Sequence, residues 1–306
     1  MNPTATSFAH RADATWRLRT QSLALGRRTL VMGVVNITPD SFSDGGLFLS
    51  PIDALNRALQ LLDEGADILD LGAESTRPGS LAGSADPAVS AKQEQQRLLP
   101  VLEAILRARP SAIVSVDTYK ASTARAALVA GAEIVNDVSG FKWDRQMPAV
   151  CAEFGAGVVL MHTRGLPGEW RTQPQLAPDE LLAAVRTGLI ESVSAASAAG
   201  IQPASIVLDP GYGFGKRLDE NYALLAHQAD LLSLGHPLLA GLSRKSFLAH
   251  TLSALHTGDI SVEARDNATL AATTAAILNG ASIVRVHAVR PAVQAARIAD
   301  AILAAR

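Results

Sequence analysis

The stretch Ile206–Lys216, IVLDPGYGFGK, decides how the chain is read. An apolar run ends in Asp209, Pro210 and Gly211 turn the chain, and two more glycines and an aromatic lead to Lys216. An unbroken apolar run, in place of an alternating one, suits a parallel strand buried on both faces. A carboxylate where such a strand stops sits at the rim of a sheet. Alone, it is as often a local cap for the turn that follows. Its weight comes from recurrence of the same arrangement along the chain.

Working outward, the pattern from Thr29 onward is strand, loop, helix, repeated. Strands are expected at Leu30–Asn36, Asp67–Ala73, Ala112–Thr118, Glu133–Ser139, Gly157–Thr163, the SIVLDP segment ending at Pro210, Pro237–Ser243 and Ser282–Ala288. Helices are expected at Pro51–Gly65, Ala91–Ala108, Ala121–Ala132, Met147–Phe154, Pro178–Ala199, Leu218–Leu234 and Glu263–Leu278. A last one runs to Arg306 with Pro291 in its first turn. Gly65, Gly131, Gly155, Gly200, Gly235 and Gly280 fall where helices stop, as C-caps do. Such alternation closes most economically into a single-domain α/β structure, a (β/α)8 TIM barrel. A doubly wound open sheet is the competitor, but the first strand lacks the G-x-G-x-x-G turn. Residues 1–28 read as an N-terminal extension, partly ragged, and 29–306 as the catalytic barrel.

Composition narrows the function. The chain has 306 residues, 48% of them apolar, and 27 basic against 29 acidic residues. No basic stretch interleaved with aromatics is present, which argues against nucleic acid. The single cysteine, Cys151, excludes an intrachain disulfide and Cys-based metal clusters and reads as a small helical hydrophobe. Neither a signal peptide nor an uninterrupted membrane-length apolar run is seen, so a cytoplasmic protein without a membrane partner is expected.

Polar residues gather at one end of the expected strands: Asn36, Glu74 with Thr76, Asp117, Asn136, His162, Asp209, Ser243, and Arg285 with His287. All eight carboxyl ends share one face of a barrel, where such folds do their chemistry. Asp117, Asn136 and Asp209 offer acceptors suited to the N–H edge of a guanidine-like heterocycle. Arg77, Lys216, Arg244, Lys245, Arg285 and His287 form a cationic rim suited to an anion. The loops Ile37–Ser50 and Glu74–Ser90 are long and glycine-rich, and are expected to act as mobile lids. His162 reads equally as a core histidine or a ligand contact.

Seven blocks together resemble the dihydropteroate synthase family of pterin-binding enzymes. They are Val31–Gly46, Gly65–Ser80, Ser115–Lys120, Ile134–Gly140, Leu208–Lys216, Gly241–Leu248 and Ile283–Val289, in the family's order. The resemblance implies a homodimeric barrel that condenses 6-hydroxymethyl-7,8-dihydropterin diphosphate with p-aminobenzoate, using Mg2+. It implies that Asp117, Asn136, Asp209, Lys245 and Met161 hold the pterin. Asn36, Arg285 and His287 would hold the diphosphate, Asn36 through the metal. Thr76, Arg77, Pro78, Phe214 and Ser243 would form the p-aminobenzoate pocket. Asn36, Lys245, Arg285 and His287 are the residues expected nearest the chemistry. The family pattern is broken by Ala288, where Asp is usual and where a carboxylate could orient His287 or touch the metal. Ala73 replaces a usual glycine, and Thr163 and Trp170 replace common methionines. A pterin-dependent methyltransferase and a non-catalytic pterin-binding paralogue are the competing readings.

Overall fold

The computed structural model describes residues 8–37, 50–85, 87–253 and 260–305. Two short strands, β1 (Ala14–Arg17) and β2 (Ser22–Leu25), pair antiparallel as a hairpin. Eight further strands follow: β3 (Leu30–Asn36), β4 (Ile68–Gly72), β5 (Val114–Asp117), β6 (Ile134–Asp137), β7 (Gly157–Met161), β8 (Ile206–Asp209), β9 (Leu238–Ala240) and β10 (Ala281–Val286). They close in that order, β10 hydrogen-bonding to β3, with every neighbouring pair parallel. The (β/α)8 barrel read from the sequence is therefore the observed architecture.

Around it lie α1 (Pro51–Asp63), α2 (Ala91–Ala108), α3 (Ala121–Val129), α4 (Met147–Phe154), α5 (Pro178–Ala198), α6 (Leu218–Ala226), α7 (Ser246–Ser253), α8 (Val262–Leu278) and α9 (Val289–Ala304). Local chemistry sets the helix starts. Ser50 and Asp53 form a reciprocal capping box at α1, and Ser90 with Gln93 does the same at α2. Two differences from the sequence reading concern the helices after β8 and β9. The expected helix Leu218–Leu234 ends at Ala226 and continues as a 3-10 turn from Gln228 to Leu234. Helix α7, only two turns long, is an element that the sequence pattern does not announce; Phe247 and Leu248 bury its inner face. The last helix begins at Val289 and has Pro291 in its first turn, as expected. Helix α5, at a mean hydropathy of 1.2, is long and apolar enough for a membrane span. It instead lays Leu181, Val185 and Leu189 against the barrel.

The N-terminal hairpin differs most from the expected ragged extension. Trp16, 1% exposed, packs with Leu18 and Leu25 beneath the barrel against Leu30, Met32, Ile68, Ile113, Ile134, Val159, Val207, Leu239 and Ile283. Its indole N–H donates to the Ser205 carbonyl at 2.9 Å. Arg11 pairs with Asp300 at 2.7 Å and ties the hairpin's approach to α9. The apolar contribution of Trp16 is invisible to a local reading because its partners come from seven other strands.

Those partners define a tier. In six of the strands an inward residue is apolar at the hairpin end of the barrel, and the residue two positions later points inward again, about 7 Å higher along the strand. Ile68 leads to Asp70, Ile134 to Asn136, Val159 to Met161, Val207 to Asp209, Leu239 to Gly241 and Ile283 to Arg285. The lower tier is packed hydrocarbon, and the upper one carries the chemistry.

Candidate active site

Thr76, Asp117, Asn136, Met161, Asp209, Phe214, Lys245 and Arg285, all named from the sequence, line one recess together with Val138, Tyr212 and Gly241. Register explains the meeting. Asp117 lies beside Asn136 across β5 and β6, and Met161 beside Asp209 across β7 and β8. A Cβ on Gly241 would stand 3.8 Å from an Asp209 oxygen and 3.9 Å from the Arg285 Cβ, so the acid and the cation share one floor.

Asp209 is aimed by the turn after it. Its Oδ1 accepts the Gly211 N–H at 2.7 Å. Gly211 has φ of 72°, and a Cβ there would come within 2.0 Å of the His162 carbonyl. Only glycine permits that approach. Burial pushes the Asp209 carboxyl upward, against the pull of the Gly211 N–H and the Lys245, Lys216 and Arg285 charges. Burial conversely brings Lys245 down to about 7, with Asp209 opposing and Arg285 assisting. The Lys245 ammonium also lies 3.9 Å from the centroid of the Phe214 ring.

Arg285 departs from the expected rim position. Its Nε donates to Asp70 Oδ2 at 2.6 Å and its second terminal nitrogen to Asp117 Oδ2 at 2.7 Å. Burial works against its charge, but Asp70, Asp117 and Asp209 more than offset this and raise its pKa. Burial also raises the Asp117 carboxyl, with Arg285 opposing and Asp70 adding to the rise. Asp70, 0% exposed, is not among the strand-end residues read from the sequence, because it lies mid-strand. Its signal was present: a lone carboxylate in the apolar run ILDLG, where an unpaired charge is costly.

His287 and Ser243 meet at the β9 and β10 ends. Ser243 Oγ lies 2.8 Å from His287 Nδ1 and accepts the His287 backbone N–H at 3.2 Å. Burial and the Arg285, Arg244, Lys245 and Arg57 charges hold the imidazole down to about 3, so it is neutral near pH 7. Ala288, where the family pattern has Asp, is the N-cap of α9 and makes no side-chain cap bond. Ser243 already orients His287, so the missing carboxylate is first of all a missing helix cap. Ala288→Asp should therefore stabilise the protein by about 1 kcal/mol, read as a higher denaturant midpoint at unchanged slope.

Two cations of the expected rim, Lys216 and Arg244, are held by other partners. Lys216 is buried, and its ammonium donates to the His162 and Phe214 carbonyls at 3.1 and 3.2 Å, bracing the β8 loop. Arg244 makes a two-point contact with Asp266 of α8 at 2.8 and 3.0 Å. Arg77, with Pro78, is exposed on the loop beyond Thr76. His162 is buried against Gly188 of α5, and its Nδ1 makes no hydrogen bond among the described residues. Glu74 is drawn away from the recess into a buried group with Lys120, which also lies 3.3 Å from Glu94.

Of the two expected lids, the first falls on residues 38–49, outside the described residues. The second packs on the neighbouring loop: Gly79 N–H donates to the Pro167 carbonyl at 2.9 Å, and Gly83 abuts Trp143 and Leu166. Trp170, one of the departures from the family pattern, meets Phe214 edge-on with centroids 4.9 Å apart, and its indole N–H bonds the Gly165 carbonyl. An aromatic thus supplies the packing on that side. Asn36 ends β3 half-buried, in register with Gly72 beside Asp117.

The pterin binding enzyme family model matches residues 32–287, the span that contains every wall of the recess. The chain belongs to the pterin binding enzyme family. Within the family it is 40% identical over 296 residues to the dihydropteroate synthase of Bacillus subtilis, covering 96% of each chain. The Yersinia pestis dihydropteroate synthase in complex with a sulfonamide drug superposes with a TM-score of 0.85 at 37% identity, over 95% of this chain and 100% of that one. The Xanthomonas albilineans dihydropteroate synthase with 4-aminobenzoic acid gives 0.82 at 37%, over 96% and 99%. The activity of this pterin binding enzyme is dihydropteroate synthesis, a transferase reaction.

Proposed function

We propose that the recess binds a dihydropterin diphosphate on its acidic floor and p-aminobenzoate against Phe214 and Thr76, and joins them with loss of diphosphate. The observation that carries this is the presence of Asp209, Asp117, Asn136, Lys245 and Arg285 around one cavity. Carboxylates and an amide acceptor suit the paired N–H groups of a pterin edge, which they grip as they would a guanidinium. Met161 and Phe214 give its flat ring apolar walls.

The electron-rich dihydropterin can carry positive charge at its exocyclic methylene. The methylene C–O bond breaks first, its electron pair leaving with diphosphate, and the amine nitrogen then forms the new C–N bond and loses a proton to water. An aromatic amine is neutral at pH 7, so no strong general base is required. Catalysis rests on positioning and on stabilising the departing anion through Lys245, Arg285 and the neutral imidazole of His287. Asn36 fits a divalent cation that arrives with the substrate. It offers one hard oxygen donor at the strand end, and no group of three His, Cys, Asp or Glu fit to hold a metal exists among the described residues. Mg2+ is commonly held by one or two protein oxygens plus phosphates, and when bound it neutralises charge on the leaving group. The family resemblance supports a homodimer working in the cytoplasm.

Mixing the two substrates should yield dihydropteroate and one equivalent of diphosphate. Methyl transfer, or pterin binding without turnover, would favour the rival readings. Lys245 also gives the reaction a pH signature. Because it sheds its proton near 7, kcat/KM for the pterin substrate should fall as pH rises from 6 to 9. Lys245→Arg, which keeps its charge, should lose that descending limb; an unchanged limb would assign it to another group.

A further inference from the structure

We infer that Asp70 is a positioning residue whose carboxylate dictates which end of the Asn136 amide faces the pterin. This rests on the reading of the recess as a pterin site. Asp70 Oδ2 takes the Asn136 Nδ2 N–H at 3.1 Å while accepting the Arg285 Nε N–H at 2.6 Å. An oxygen engaged by a guanidinium is an acceptor, so the Asn136 group against it must be the NH2. The Asn136 carbonyl is thereby turned the other way, toward the recess that its side chain lines. Asn136 then presents an acceptor beside the acceptors Asp117 and Asp209, and the pterin must meet this wall with N–H groups. A ligand offering acceptors there would leave buried groups unpaired, which is how such sites discriminate. Asp70 itself is 0% exposed and does not line the recess, so it contributes through its two partners.

The test transposes the pair. Asp70→Asn replaces a fixed acceptor by an amide that can offer either end, so the Asn136 orientation is no longer imposed. Calorimetry should show pterin binding weakened roughly 10- to 100-fold. The double variant Asp70→Asn/Asn136→Asp keeps the net charge and places an acceptor-only group against the ligand, with an amide donor behind it. Its affinity should return to within about fivefold of wild type. A purely structural role predicts otherwise: melting temperature recovers in the double variant and pterin affinity does not. That result, or wild-type affinity in Asp70→Asn, overturns the inference.

A measurement on the wild-type protein needs no variant to fold and no pterin reading to hold. The Asn136 side-chain NH2 resonances should exchange slowly with solvent without ligand and remain so when pterin is added. Fast exchange, or a large shift in those N–H signals on binding, would put the NH2 on the ligand side and end the proposal. Absence of pterin binding to wild type would sink the functional assignment, while the resonances still decide the amide orientation.

Discussion

Replacing Arg285 by alanine should cost the protein about 3–5 kcal/mol of stability at pH 8, a drop in melting temperature of roughly 10 °C. The guanidinium holds Asp70 and Asp117 at 2.6 and 2.7 Å, and the two side chains are 0% and 16% exposed. Without it, two largely buried carboxylates face each other and lose the cation that both contact. Removing one partner of a buried pair is costly for that reason, whatever the net worth of the intact pair. The loss should shrink toward pH 5. Arg285 opposes the burial-driven rise of the Asp117 carboxyl, so deleting the cation lets that acid take up a proton more readily in the folded state, and the variant gains stability relative to wild type as pH falls. Calorimetric melts at pH 8 and pH 5 check both the size and the trend. Equal melting temperatures for variant and parent at pH 8 would refute the role assigned to Arg285. Arg285→Lys should recover only part of the loss, since one ammonium cannot reproduce the fork that reaches both acids.

Asp209→Asn should act the opposite way on stability and harder on binding. The amide oxygen can still accept the Gly211 N–H, so the turn survives. Burial raises the folded pKa of Asp209, which means its ionised form is a burden on the fold above that pKa and is relieved as pH falls. The variant should melt at or above the parental temperature at neutral pH and lose that part of the pH dependence. Pterin affinity should nonetheless fall by roughly 10²–10³-fold, the cost of removing one charged partner from a desolvated contact. Lys245 also loses its opposing charge and sits deprotonated more of the time. Isothermal calorimetry with a dihydropterin measures the loss, and affinity within tenfold of wild type would defeat the assignment. Stability and function moving in opposite directions is the signature expected of a residue held for its chemistry.

The two residues also show what was legible beforehand. Asp209 could be read because it ends an apolar run at a Pro-Gly turn, a purely local pattern. The recurrence of that pattern along the chain gave the barrel and most of the recess. Arg285 and Asp117 are legible in the sequence, but their pairing and the second partner, Asp70, are not. Asp70 belongs to another strand 215 positions away, and its role follows only once the sheet closes β10 against β3 and β4. The partners of Lys216 and Arg244 are hidden from the sequence for the same reason. A cation beside a glycine-rich turn looks like an anion ligand until the carbonyls or the carboxylate that claim it are in view. Trp16 lay in a stretch with no strand period long enough to notice, and its burial depends on the whole lower tier. Local patterning therefore carried the elements and their ends, while side-chain pairing required the third dimension.

The separation of the barrel interior into two storeys has a practical corollary. What holds the staves together is hydrocarbon one pleat below the ring that touches the guest. Exchanging Asn136, Met161, Asp209, Gly241 and Arg285 as a set, together with the Asp70 that bonds two of them, would refit the vessel for a different planar molecule and leave its foundation undisturbed.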